Sequence, residues 1–257
     1  MPDNLAEARH NLAVANRIVS YEGIIDAFGH VSMRHPTKPD RYLVSRSRSP
    51  EVVEAADIYE YTLDSEPVTP LPQGIRGYGE LVIHGEIYKA RPDVMSVIHA
   101  HSQAVIPLSL TAIKMKPVIA QAGFLPPETP NFEARDARKP GERGMQVTDS
   151  ARGAALARTL STYPVALMRG HGEAVAASSV KQAVVYAAYI DINARMQTQA
   201  LLLSRDIVAL DAAELFTPEE FDINRPWEHL KQKTLDDAAR AKVDRAQFGL
   251  DQTQEKR

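Results

Sequence analysis

The spacing of hydrophobic residues predicts an alternation of helices and short strands in the first part of the chain. Apolar side chains recur at helical intervals over residues 3–21, and Gly23 marks the end of this pattern. Short runs with a strand-like pattern occur at 30–34, 42–45 and 58–63, and Pro36, Pro39 and Asp40 separate the first two, so these runs predict strands.

A second group of elements is predicted between these strands and residue 110. Ser49 followed by Pro50 is typical of a helix start, with the serine as the N-cap. A helical pattern covers 79–91, a buried strand is expected at 94–100, and a short helix is expected at 103–110.

The rest of the chain contains a long irregular segment and three further elements. Residues 123–148 are rich in proline, glycine and charge, and irregular segments of this length are usually functional. A helix is predicted at 150–162, a strand at 165–168, and a long helix at 178–204, capped by Ser178 or Ser179.

The domain organisation predicted from these patterns is simple. We expect one α/β domain over 1–233, because no internal repeat and no linker divides it, and 257 residues suffice for one sizeable core. The charged, glutamine-rich residues 234–257 are expected to form a frayed tail.

Composition narrows the classes of function. The formal net charge is −3 and no basic block is present, which argues against a nucleic-acid partner. The N-terminus is amphipathic, without the apolar core of a signal peptide, and no run of 18 apolar residues occurs, so we expect no membrane span and a cytoplasmic location. The absence of cysteine excludes disulfides, thiolate ligands and a cysteine nucleophile.

Three histidines and one glutamate form a candidate metal site. His99 and His101 lie at the end of a predicted strand, where residues two apart point to one face. His171 follows another strand in a Gly-His-Gly turn, and Glu80 opens a predicted helix. A His-x-His pair or a loop histidine alone is commonly no ligand, but the combination favours a cation bound by imidazole and carboxylate groups.

The same residues carry a resemblance to the class II aldolase/adducin family, which covers about residues 5–205. The resemblance implies an α/β fold of three layers, α/β/α, with a central, largely antiparallel sheet flanked by helices. The matching motifs occur in the family's order: Gly29–Ser32, Ser45–Pro50, Glu80 with His84 and Tyr88, Val97–His101, and Arg169–Gly172.

The resemblance also implies the chemistry of the site. His99, His101 and His171 match the histidines that bind one divalent metal ion per subunit, and Glu80 matches the catalytic acid/base, which can also be a ligand. The sequence leaves manganese, zinc and cobalt open, with iron possible. The resemblance further implies a homo-oligomer, a tetramer, with sites near subunit interfaces.

The sequence departs from the sugar-phosphate aldolases at their phosphate pocket. His30, Ser47 with Arg48, and Tyr78 stand where those enzymes carry small neutral donors. An arginine suits a planar carboxylate better than these small donors do. We therefore predict a small hydroxy-carboxylate substrate, bound by His30, Ser47, Arg48, Arg46 and Tyr78.

The variant motifs at Gly29–Ser32 and Ser45–Pro50, together with Phe132–Asp136 and Arg225–Trp227, resemble a subgroup with 3-hydroxy-2-methylpyridine-4,5-dicarboxylate 4-decarboxylase and dihydroxyphthalate decarboxylases. This finer resemblance implies a carbon-carbon lyase of aromatic catabolism, a metal-dependent decarboxylase of an ortho-hydroxy benzene or pyridine dicarboxylate. The reaction would pass through a metal-stabilised enolate, and Glu80, with a pKa raised by burial, would return the proton.

Several alternatives stay open at this point. The chain is alternatively an aldolase or epimerase of an unphosphorylated hydroxy-acid or sugar acid, a non-catalytic scaffold like adducin, or an iron-dependent oxygenase. His30 either contacts substrate or packs in a turn, and His84 either orients Glu80 or packs its helix. Trp227 is either a lid at a subunit interface or a packing residue.

Overall fold

Helices and short strands alternate along most of the chain in a computed structural model, which describes residues 4–217 and 220–247 and the side chains as far as residue 236. The helices are α1 (Asn4–Tyr21), α2 (Leu81–Ala90), α3 (Val105–Ser109), α4 (Ser150–Leu160), α5 (Val180–Leu203) and α6 (Asn224–Gln247). The strands are β1 (His30–Arg34), β2 (Arg41–Ser45), β3 (Ile58–Thr62), β4 (Ser96–Ala100), β5 (Asn131–Phe132), β6 (Val165–Met168) and β7 (Gly172–Ala177).

Most predicted elements are confirmed within a few residues of their expected ends, and local capping explains where two helices begin. Ser179 caps α5, because its hydroxyl accepts a hydrogen bond from the backbone N–H of Gln182 at 3.1 Å. Asp149 caps α4 in the same way, with the N–H of Arg152 at 3.0 Å.

Other predictions need correction. The helix expected after Ser49 is only a 3-10 turn, Pro50–Val52, and the Ser49 side chain makes no cap hydrogen bond. The irregular segment 123–148 contains the short strand β5, and β7 was not predicted. Residues 234–247 of the predicted tail belong to helix α6, and residues 248–257 lie outside the described part of the chain, while the domain boundary at residue 233 stays a prediction.

The seven strands form one sheet in the order β3-β2-β1-β4-β7-β6-β5. All neighbouring strands are antiparallel except β5 and β6, which are parallel. The register of β1 against β4 pairs His30 with His99, so two chemically important side chains lie side by side near the middle of the sheet.

Helices cover both faces of this sheet. One core layer contains α1, α3, α5 and α6, and the other contains α2 and α4. Side chains alternate along β4, so Ile98 enters the first layer while Val97 and His99 face the second. The predicted three-layer α/β/α fold with a largely antiparallel sheet is therefore confirmed.

Two features of the outer helices bear on earlier alternatives. Trp227 of α6 is 3% exposed and belongs to the core layer formed with α1 and α5, which favours the packing interpretation of this residue. Among the helices of the described residues, none is both long enough and apolar enough for a membrane span.

Candidate metal centre

Four side chains converge where α2 begins and where β4 and β6 end. Glu80 is the N-cap residue of α2, and His99 and His101 lie at and just beyond the end of β4. His171 lies in the turn that joins β6 to β7. One nitrogen or carboxylate oxygen from each of these residues lies within 4.8 Å of all the others, so the structure brings the four predicted residues together.

The closest distances in this cluster join atoms that are typical metal ligands. Nε2 of His99 lies 3.1 Å from Nε2 of His101. Oε2 of Glu80 lies 3.7 Å from Nε2 of His99 and 3.4 Å from Nε2 of His171. Three imidazoles and one carboxylate form a donor set that accommodates zinc, manganese, cobalt or iron.

Hydrogen bonds behind the rings fix which nitrogens face the centre. Nδ1 of His99 donates to the backbone carbonyl of Glu173 at 3.2 Å, and Nδ1 of His101 faces Oδ1 of Asp26 at 2.9 Å. In the neutral rings the two Nε2 atoms then both carry lone pairs, although they are only 3.1 Å apart. A shared cation would relieve this repulsion, so the residues present fit a metal ion.

The turn that carries His171 depends on glycine. A Cβ on Gly172 would lie 1.9 Å from the carbonyl oxygen of Ala100, and the φ angle of Gly172 is 155°, so a larger residue would force the turn away from β4. The backbone N–H of His171 donates to the carbonyl of Met168 at 2.9 Å. Nδ1 of His171 is buried and has no hydrogen-bond partner within the described residues.

Glu80 is held as a carboxylate. Its Oε1 accepts a hydrogen bond from the backbone N–H of Val147 at 2.6 Å, while Oε2 faces the histidines. Burial acts to raise the pKa of Glu80, as the sequence led us to expect, but hydrogen bonds with His171 and His99 outweigh it and lower the pKa far below its usual range. The expectation of a raised pKa was therefore wrong, and Glu80 is better suited to bind a metal ion than to hold a proton.

His30 lies beside the cluster. Its ring centroid is 5.3 Å from that of His99 and 4.4 Å from that of Tyr78. Burial, together with the neighbouring His84 and His99, keeps the pKa of His30 well below its usual range, so the ring is neutral. Both nitrogens of His84 are engaged, one by His30 and one by Ser32, so His84 orients His30 rather than Glu80.

The remaining predicted substrate contacts lie on the β2–β3 side. Tyr78 shares a hydrogen bond with Ser45 at 2.8 Å and donates to the carbonyl of Arg48 at 2.7 Å. The guanidinium groups of Arg46 and Arg48 both bind Asp57, at 2.6 Å each.

Of the predicted substrate contacts, Tyr78 lies against the ring of His30. Arg46 and Arg48 are both paired with Asp57, and Ser47 is exposed. Within this wall, the group formed by Arg46, Arg48 and Asp57 carries one net positive charge. A substrate anion would be attracted to such a wall.

Sequence reasoning missed three groups that support the cluster. Asp26 holds His101, the carbonyl of Glu173 holds His99, and the N–H of Val147 holds Glu80. Asp26 carries a recognisable signal, because an aspartate ahead of Phe28-Gly29 is typical of an Asx turn, which the structure contains. The other two are backbone groups, which leave no mark in the side-chain sequence.

The side chain of Glu173 points away from the metal centre into the opposite layer. It is wholly buried, and neither carboxylate oxygen has a hydrogen-bond partner within the described residues. Burial, together with the nearby charge of Asp191, raises the pKa of Glu173 to about 8.

Known proteins are similar to this chain over most of its length. The decarboxylase tropJ of Talaromyces stipitatus is 34% identical over 192 residues, which cover 70% of this chain and 71% of that protein. The 3,4-dihydroxyphthalate decarboxylase of Arthrobacter keyseri is 31% identical over 238 residues, covering 87% of this chain and 92% of that protein.

Solved structures agree in fold. The L-fuculose 1-phosphate aldolase of Glaciozyma antarctica superposes with a TM-score of 0.72 at 17% identity, covering 93% of this chain and 91% of that one. An aldolase II superfamily protein of Pseudomonas syringae gives a TM-score of 0.67 at 20% identity, with 91% and 86% covered. Residues 10–198 match the Class II Aldolase and Adducin N-terminal domain, and the chain therefore belongs to the class II aldolase and adducin family.

Proposed function

We propose that this protein is a divalent-metal-dependent decarboxylase of an ortho-hydroxy aromatic dicarboxylate, with a benzene or pyridine ring. The observation that supports the proposal is the cluster of Glu80, His99, His101 and His171, whose candidate ligand atoms all lie within 4.8 Å of one another. The names of the relatives, decarboxylases at 28–34% identity, support the reaction type.

Decarboxylation of such a substrate poses an electronic problem. Loss of CO2 leaves both electrons of the broken C–C bond on the ring carbon, and one proton must replace the CO2. A divalent cation at the cluster would supply Lewis-acid stabilisation of this charge through the adjacent hydroxyl oxygen. The chain's own task is then to orient the dianion and to control the arriving proton.

Four side chains beside the cluster are assigned to orient the substrate: His30, Tyr78, Arg46 and Arg48. His30 and Tyr78 present flat, neutral rings next to His99, which suits stacking against an aromatic ring. The positive charge of Arg46 and Arg48 exceeds the negative charge of Asp57, and the excess favours a second substrate carboxylate.

The role of Glu80 as the catalytic acid/base stays a prediction. Glu80 is an anion that accepts a hydrogen bond from the backbone N–H of Val147, and as an anion it would stabilise a bound cation. It would accept a proton only if its hydrogen bonds with the histidines were lost. The homotetramer and the cytoplasmic location implied by the sequence also stay predictions.

A direct test uses protein stripped of metal and then reloaded with zinc, manganese, cobalt or ferrous iron in separate samples. Each sample is incubated with 3,4-dihydroxyphthalate and with a hydroxypyridine dicarboxylate, and released CO2 is measured. Phthalate, which lacks the hydroxyl group, is the control substrate. We expect CO2 only from the hydroxylated acids and only after reloading.

The His101→Ala variant should lose both metal and activity while the fold is kept, since His101 lies at the edge of the core. Aldehyde released from a sugar acid, with no CO2 from any aromatic acid, would replace the proposal with an aldolase. Oxygen consumption with iron would instead indicate an oxygenase. An inert, metal-free protein would favour the scaffold.

A further inference from the structure

A chain of hydrogen bonds runs from the metal centre into the core layer of α2. Nδ1 of His30 lies 2.6 Å from Nε2 of His84, and Nδ1 of His84 lies 2.6 Å from Oγ of Ser32. Oγ of Ser32 lies 2.8 Å from the hydroxyl of Tyr88. All four side chains are buried, so no bulk water competes for these bonds.

Such a chain can be polarised in either of two directions. The hydrogen bonds are donated either from Tyr88 towards His30 or from His30 towards Tyr88, so three of the four side chains donate and the last one only accepts. In the first direction His30 is left with a proton on Nε2. In the second, Nε2 of His30 is left with a lone pair.

Tyr88, at the buried end of this series of hydrogen bonds, determines the direction in which the bonds are donated. Oγ of Ser32 is the acceptor described for the Tyr88 hydroxyl proton, and a phenol that does not donate would leave a buried proton unsatisfied, which is unfavourable. With Tyr88 donating to Ser32, the Ser32 hydroxyl can donate either to Nδ1 of His84 at 2.6 Å or to the carbonyl of Val97 at 3.5 Å. The shorter contact makes the stronger hydrogen bond, so Ser32 donates to His84. His84 must then donate from Nε2 to Nδ1 of His30.

We propose that Tyr88, Ser32 and His84 are positioning residues that lock His30 in the Nε2–H tautomer. His30 then presents a neutral N–H donor to the space beside His99 and Tyr78. A donor there recognises an anionic oxygen, a carboxylate or phenolate of the substrate next to the metal centre. This last step rests on the proposed decarboxylase function, whereas the tautomer of His30 does not.

The tautomer can be measured without any assay of activity. Zinc-loaded protein is labelled with nitrogen-15 histidine, and the ring nitrogens of His30 are assigned by comparison with His30→Gln. Protonated and unprotonated ring nitrogens resonate in well-separated regions. We expect a protonated Nε2 and an unprotonated Nδ1 for His30 in the native protein, and the reverse would overturn the proposal.

Tyr88→Phe removes the hydroxyl that selects the direction and keeps the aromatic ring in the core. We expect the His30 signals to move towards a mixture of tautomers, and kcat/KM for a substrate that reacts to fall about tenfold with the zinc content unchanged. Tyr61→Phe is the matched control, because the Tyr61 hydroxyl is buried and lacks a hydrogen-bond partner within the described residues. Tyr61→Phe should leave the His30 signals and kcat/KM unchanged.

If Tyr88→Phe does not fold, the native spectrum alone decides the tautomer, and Ser32→Ala offers a second break in the chain. An unchanged His30 tautomer in a folded chain-breaking variant would overturn the positioning role. The Nε2–H tautomer without CO2 release from any substrate would contradict the proposed function alone. CO2 release from a protein with the opposite tautomer would contradict this inference alone.

Discussion

At the scale of single residues, the orientation of each histidine is set by the atom behind it. Asp26 shows this best, since its Oδ1 faces Nδ1 of His101 and also accepts the backbone N–H groups of Phe28 and Gly29. A carboxylate in this position makes an imidazole a stronger ligand and holds its ring in place. The turn and the metal centre therefore share one side chain.

Asp26→Asn should weaken metal binding about tenfold, the low end of the range for such supporting residues, because the amide keeps the turn but removes the negative charge. Calorimetric titration of the metal-free protein with zinc measures the change. Asp40→Asn, at an exposed aspartate with no part in the cluster, is the control. Equal zinc affinity in both variants would remove Asp26 from the centre.

The sequence predicted the cluster better than its surroundings. Glu80 and the three histidines stood out because their residue types and the family motifs coincide with strand ends and a helix start. The contact between His30 and His84 depends on the register of β1 and on the packing of α2, which no local pattern encodes. The same is true of the backbone N–H of Val147, because it comes from an irregular segment.

At the scale of elements, the irregular segment 123–148 reaches back over the sheet to the metal centre. Glu133 binds the guanidinium of Arg169, which follows β6, and Arg152 of α4 donates to the carbonyl of Gln146 at 3.0 Å. These anchors flank the residue that donates to Glu80. The segment therefore contributes to the site through its anchors as well as through Val147 itself.

Glu133→Gln should lower stability in a pH-dependent way. Hydrogen bonds from Arg135 and Arg169 outweigh burial and lower the pKa of Glu133 from the usual 4.5 to about 2. Because the folded pKa is depressed, the carboxylate stabilises the fold above about pH 4.5, and this contribution disappears as the pH falls towards 2. Allowing for solvent screening, we expect a difference of about 1–2 kcal/mol at pH 7.

Urea unfolding of the native protein and of Glu133→Gln, at pH values about one unit apart from about pH 3 to pH 7, measures how this difference changes with pH. Glu128→Gln is the control. Glu128 lies in the same segment, but its side chain is largely exposed and its ion pair with Lys116 is long, at 3.7 Å. A constant difference across this pH range would show that Glu133 acts through packing instead of charge.

Elements missed by the sequence were those without a strong local pattern. Strand β7 is largely alanine and begins with glycine, so its strand conformation comes from pairing with β4 and β6 on both sides. Helix α6 is highly charged, and its start is held by Trp227 and Leu230 in the core layer of α1 and α5. Tertiary contacts decided both cases.

At the scale of the whole molecule, the candidate centre joins parts of the chain that are far apart in sequence. Glu80 precedes α2, His101 follows β4, and His171 precedes β7. Two of these elements are central strands of the sheet, and α2 covers one face of it. A bound cation would therefore connect the sheet to one helical layer, and metal binding should contribute to the stability of the folded state.

Removal of metal by a chelator should lower the midpoint of thermal unfolding, and adding zinc back should restore it. At a free zinc concentration of about 100 Kd, binding to the folded state alone adds about 2.7 kcal/mol, which corresponds to a rise of roughly 5–10 °C for a chain of this size. The midpoint should keep rising with zinc concentration in the native protein. In His101→Ala, which lacks one of the four converging side chains, the same additions should have little effect. An equal rise in both proteins would place the stabilising ion elsewhere in the molecule.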